Sequence, residues 1–158
     1  MTSEPLKKVS VKKRFAASPE RVFDAWLDPA TARRWLFTTA DSEVVRCDID
    51  AIVGGRFTIV DHREDGDIEH VGEYLVIERP TRLVFTFAVP KFSALYDRVT
   101  VAIRPVDGGC ELSLTNELDV ENEEWREQTI EGWTMILNSL ARELGEKADD
   151  RPERDDAA

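Results

Sequence analysis

"IEGWTMILNSLAREL", residues 130–144, places Ile130, Trp133, Leu137, Leu140 and Leu144 at spacings of three and four. That is the period of one apolar stripe on an α-helix, and the surrounding pattern extends the predicted helix over 121–144. A single stripe must be buried against something. The preceding chain supplies the partner. From residue 43 the pattern alternates, with turn signals at Gly54-Gly55, Asp65-Gly66, Pro80, Pro90 and Asp107-Gly108. Six strands are expected, near 43–50, 56–62, 68–77, 82–89, 95–105 and 110–118, joined as an antiparallel meander. An opening strand over 9–15 makes seven.

Between strand 1 and the meander lies "SPERVFDAWLDPATARRWL", residues 18–36. Ser18 reads as an N-cap, Pro19 as the first helical residue and Glu20 as a first-turn acid that suits the helix dipole. Val22, Phe23, Trp26 and Leu27 share one face. Asp28-Pro29 repeats the device, so a second short helix follows at once. The expected fold is α+β, a curved antiparallel sheet wrapped around the long C-terminal helix, with two short helices after strand 1.

Composition sets the limits. A chain of 158 residues makes one domain with a real core. A net charge of −11 argues against binding a phosphate backbone, so the paired short helices read as packing and not as a DNA reader. No apolar run is long enough to span a membrane. The N-terminus has no apolar segment of the secretory kind, which makes the cytoplasm the expected location. Cys47 and Cys110 lack metal-type spacing and read as reduced thiols. "EKADDRPERDDAA", residues 146–158, is almost free of apolar side chains and is expected to be a disordered acidic tail beyond a domain of residues 1–145.

Turn chemistry assigns faces. A two-residue turn at Asp107-Gly108 sets Ile103 opposite Leu112, Val101 opposite Leu114 and Val99 opposite Asn116. A turn at Asp65-Gly66 sets Phe57 opposite Tyr74, Ile59 opposite Gly72 and Asp61 opposite His70. The last pair is then an inward carboxylate–imidazole dyad, with His62 on the other face. A three-residue turn would send His70 outward instead. Phe85, Phe87 and Val89 also point inward, and Trp35 and Phe37 join them from the second short helix. Such an aromatic interior is either a filled core or a cavity with a few polar groups. Asn116 must find a partner, which makes it a ligand contact or a helix tether. Gly132, costly inside a helix by about 1 kcal/mol, is expected either to let another segment pack closely or to border an empty volume and help shape a pocket. "VGGRF", residues 53–57, precedes a strand and so reads as a turn and not as a phosphate loop.

In order and spacing, "SPERVFDAWLDPATARRWL", "VGGRFTI", "GEYLVIERPTRLVFTF" and "EGWTMILNSLARELG" resemble the START-like superfamily, also called SRPBCC. The resemblance is strongest to its bacterial branch, named after the activator of the heat-shock-protein-ninety ATPase. It implies a helix-grip fold with a cavity between sheet and long helix. It also implies binding of a lipid, a polyketide or another apolar molecule; no cofactor is expected. The expected ligand wall is Trp35, Phe37, Phe57, Ile59, Tyr74, Phe85, Phe87, Val101, Leu114, Trp133 and Leu137, with Asp61, His70 and Asn116 as polar contacts. Two other functions stay open: a co-chaperone-like module that meets a chaperone or a second copy, and a cyclase or hydrolase with Asp61 and His70 as acid–base pair. Two histidines without clustered cysteines make no closed metal site.

Overall fold

Ser18 and Asp28 start the two short helices as their sequences require. The Ser18 hydroxyl accepts from the Arg21 amide at 3.2 Å and opens α1 (Pro19–Leu27). One Asp28 carboxylate oxygen accepts from the Ala30 amide at 3.3 Å and the other from the Thr31 hydroxyl at 2.8 Å, opening α2 (Pro29–Ala32). The apolar face of α1 buries Val22, Phe23 and Trp26. The computed structural model describes residues 7–39, 41–91, 96–118, 123–146 and 153–154.

The strands are β1 (Lys7–Phe15), β2 (Glu43–Ile49), β3 (Arg56–Arg63), β4 (Gly66–Glu78), β5 (Arg82–Phe87), β6 (Asp97–Val106) and β7 (Gly109–Leu118). They form one antiparallel sheet in the order β2-β3-β4-β5-β6-β7-β1, and a two-residue β8 (Glu153–Arg154) lies on the outer side of β1. Strands β2 to β7 are a meander of hairpins, and β1 then pairs with β7 from Lys7↔Leu118 to Phe15↔Cys110. The last helix, α3 (Glu123–Glu143), buries Ile130, Trp133, Leu137, Leu140 and, just past its end, Leu144. The stripe that predicted the helix is the stripe that the sheet covers. Apart from β8 and Glu146, the expected tail lies outside the described residues.

The β6–β7 register is the expected one, with Val99↔Asn116, Val101↔Leu114 and Ile103↔Leu112. The β3–β4 register is not. There Phe57 faces Gly72, Ile59 faces His70 and Asp61 faces Ile68. The turn is Glu64-Asp65, one residue earlier than expected, with Gly66 at φ 121° closing it. Glycine tolerates that left-handed φ after the turn instead of inside it. A turn displaced by one residue moves the pairing by two. Faces are therefore preserved and both Asp61 and His70 stay inward, but they no longer oppose each other.

Gly72 now explains itself. A Cβ there would collide with the Thr86 carbonyl and the Phe57 ring, which lies over the glycine. Gly132 departs from the packing alternative. No heavy atom of a described residue beyond its own neighbourhood comes within 4 Å of where its Cβ would be, so no described segment packs against it.

Candidate functional site

Phe37 organises the aromatic interior. It follows α2 with φ 60°, a left-handed conformation that costs a bulky residue roughly 1–3 kcal/mol. Its ring lies parallel over both His70, at 4.5 Å between centroids, and Phe87, at 4.9 Å. Trp133 meets Phe37 and Phe87 edge-on, each at 5.9 Å. Buried stacking of this kind offsets part of the backbone cost.

The segment after Phe37 is held by Asp61, whose side chain is fully buried. One carboxylate oxygen accepts from the Thr38 hydroxyl at 2.9 Å. The other accepts from the Ser42 hydroxyl at 2.8 Å and from Arg63 Nε at 2.7 Å. A buried carboxylate is tolerated because its lone pairs are used in this way. His70 makes its own contact, Nδ1 to the Ile59 carbonyl at 3.2 Å. Burial is the main reason that its pKa falls to about 4, so the ring is neutral at pH 7. Asp61 and His70 thus bond to other partners and do not form the expected hydrogen-bonded dyad.

Asn116 is a helix tether. Its Oδ1 accepts from Trp133 Nε1 at 3.0 Å, and its Nδ2 donates to Asp97 at 3.1 Å. The indole of α3 is thereby fixed to β7. Trp35 is held similarly, donating from Nε1 to the Ala25 carbonyl at 3.1 Å and lying edge-on to Trp26 at 4.8 Å. Ile59, Val101, Leu114 and Leu137 are fully buried core.

Trp26 differs from these. Among the described residues, its Nε1 is the one buried side-chain nitrogen or oxygen without a hydrogen-bond partner. The same indole borders a cavity of about 10 Å³ whose wall also includes Phe37, Phe57, Tyr74, Leu83 and Phe85. That volume holds one water. The cavity lies beneath α1, with Phe37, Phe57, Tyr74 and Phe85 as expected wall residues, whereas Trp133 and Leu137 of α3 do not border it. Trp26, Leu36 and Leu83 were missed as lining residues. Their signals were present, because Trp26 sits on the apolar face of α1 and Leu83 shares its strand face with Phe85. Burial raises the Tyr74 phenol well above its ordinary pKa, so this wall carries no charge from tyrosine.

A curved antiparallel sheet gripping a long C-terminal helix, with two short helices over one end and an aromatic interior, defines a helix-grip protein of the START-like class. The profile of the family described as Activator of Hsp90 ATPase homolog 1-like protein matches residues 16–145, and the chain belongs to that family. Solved structures agree in fold. An AHSA1-like protein from Aeromonas hydrophila is 26% identical, with a TM-score of 0.72 over 88% of this chain and 92% of that one. A Chromobacterium violaceum protein is 23% identical, with a TM-score of 0.74 over 85% and 94%. A Staphylococcus aureus protein of unknown function reaches 0.79 at 19% identity over 88% and 93%. No curated protein is significantly similar to the chain. No helix among the described residues is long and apolar enough to cross a membrane.

Proposed function

We propose that the protein binds a small apolar molecule carrying a hydrogen-bond acceptor, with its polar end at Trp26. The observation that carries this reading is the unpartnered Nε1 of Trp26, a residue that lines an aromatic-walled cavity. A buried donor left unmade costs about 1–3 kcal/mol, which the one water that the cavity holds, or a ligand carbonyl or hydroxyl in its place, would recover. Anything larger than water must displace part of the wall. Phe37 is the wall residue with stored backbone strain, so its movement is favoured over that of its neighbours. Asp61 already serves three donors, which supports binding over acid–base turnover.

Titration with a naphthalene dye bearing a ketone tests the proposal. Saturable binding with enhanced emission is expected, and Trp26→Phe should weaken it about tenfold while an alkyl-only dye is little affected. A wild-type protein that binds neither dye overturns the reading. Native mass spectrometry of the purified chain would then show whether a molecule accompanies it.

A further inference from the structure

On the sheet face away from α3, one cross-strand row runs Val76↔Val84↔Thr100↔Thr115↔Ser10, from β4 to β1. These are small or β-branched residues, and Val84 is only 4% exposed although it points away from the core. The next row on one side carries Arg98, Glu117 and Lys8, and the row on the other side carries Glu78, Arg82 and Lys12. Longer side chains thus wall a floor of short ones. The result is a groove of about 390 Å³ that crosses the strands, bordered by Lys8, Arg82 and Arg98.

Its charge opposes that of the molecule. The chain carries −11, yet the groove has these three cations and one carboxylate, Glu117, which Arg98 and Lys8 share at 2.6 and 3.4 Å. Arg82 reaches Glu78 only at 3.9 Å, with half its side chain exposed. From β4 to β1 is four strand spacings, about 19 Å, which roughly six extended residues span.

We propose that this groove docks an acidic, extended segment of a partner protein, whose small apolar side chains rest on the Val76–Val84 floor while its carboxylates meet Arg82, Arg98 and Lys8. Charge complementarity selects the segment, and the net charge of −11 on the whole chain disfavours a long polyanion such as a nucleic-acid backbone. The site lies on the opposite face from the interior cavity, so the two proposals stand or fall separately.

Fluorescence anisotropy with a fluorescein-labelled decapeptide, glutamates flanking two valines, tests it on the full chain. Binding that weakens with salt is expected. Arg82→Glu should raise Kd about tenfold, and Arg21→Glu, on α1, should leave it within about twofold. Lys8→Glu, which reverses an exposed wall cation and leaves the floor unchanged, should weaken it similarly, so the test survives if Arg82→Glu fails to fold by circular dichroism. Equal affinities for wild type and both groove variants overturn the proposal. So does stronger binding to phosphatidylserine vesicles or to a single-stranded oligonucleotide than to the peptide. Peptide binding that emerges only after residues 147–158 are removed would assign the groove to the chain's own acidic tail. Self-association abolished by Arg82→Glu would assign it to a second copy; either result also overturns the proposal.

Discussion

At His70 the chain keeps an imidazole neutral by burying it against Phe37 and the Ile59 carbonyl. Burial lowers its pKa from 6.5 to about 4. The unfolded chain therefore takes up this proton first as the solution is acidified. The stability contributed by neutral His70 is complete above about pH 6.5, declines as pH falls, and is lost below about pH 4. The size is on the order of 3 kcal/mol. Urea midpoints measured from pH 7 to pH 4 should fall less steeply in His70→Phe than in the wild type, and parallel curves would refute the assignment. A two-residue turn sets His70 inward, where it lies, and a three-residue turn would have sent it outward, so its face followed from the sequence only once the turn length was assumed. Its partner did not follow even then, because a fixed face leaves the position along the neighbouring strand free by steps of two.

For an element, the spacing of apolar residues was enough to find α3, and the Ser18-Pro19 and Asp28-Pro29 pairs were enough to find α1 and α2. The hairpins divided by turn chemistry. Asp107-Gly108 sits where its dipeptide suggests, with Gly108 at φ 82°. In Glu64-Asp65-Gly66 the same kind of dipeptide straddles the end of the turn, and no local rule distinguishes the two cases. Gly132 offers a test at this scale. With no described atom near its missing Cβ, Gly132→Ala should stabilise the protein by about 1 kcal/mol, the helix-propensity difference alone. A lowered thermal midpoint would show that the glycine serves an approach by a segment or ligand after all.

At the scale of the whole molecule, strand count, helix order and the burial of the α3 stripe followed from pattern. The narrowness of the cavity under α1 and the charged walls of the outer groove did not, because both depend on side chains from four or more segments. One such long-range link joins the ends of the described domain. Glu146, past α3, accepts from the Ala16 and Ala17 amides at 2.7 and 3.0 Å, at the junction of β1 and α1. Charge-assisted bonds of this sort contribute roughly 1.5–3 kcal/mol. Glu146→Ala should lower the urea midpoint accordingly, whereas Glu69→Ala, on an exposed strand position, should change it little; equal effects would deny the link.

Strand β1 also has a consequence for how the molecule is made. Both of its neighbours in the sheet, β7 and β8, come later in the chain, and the Ser10 and Thr115 hydroxyls that meet at 3.2 Å are 105 residues apart. During synthesis from the N-terminus, Val9, Val11 and Phe15 emerge long before the strands that pair with β1. The nascent chain carries this apolar strand unpaired through translation of β2 to β6, and closing so distant a pair is intrinsically slow. A ribosome stalled at residue 105 would therefore hold a chain whose first strand is still open to protease.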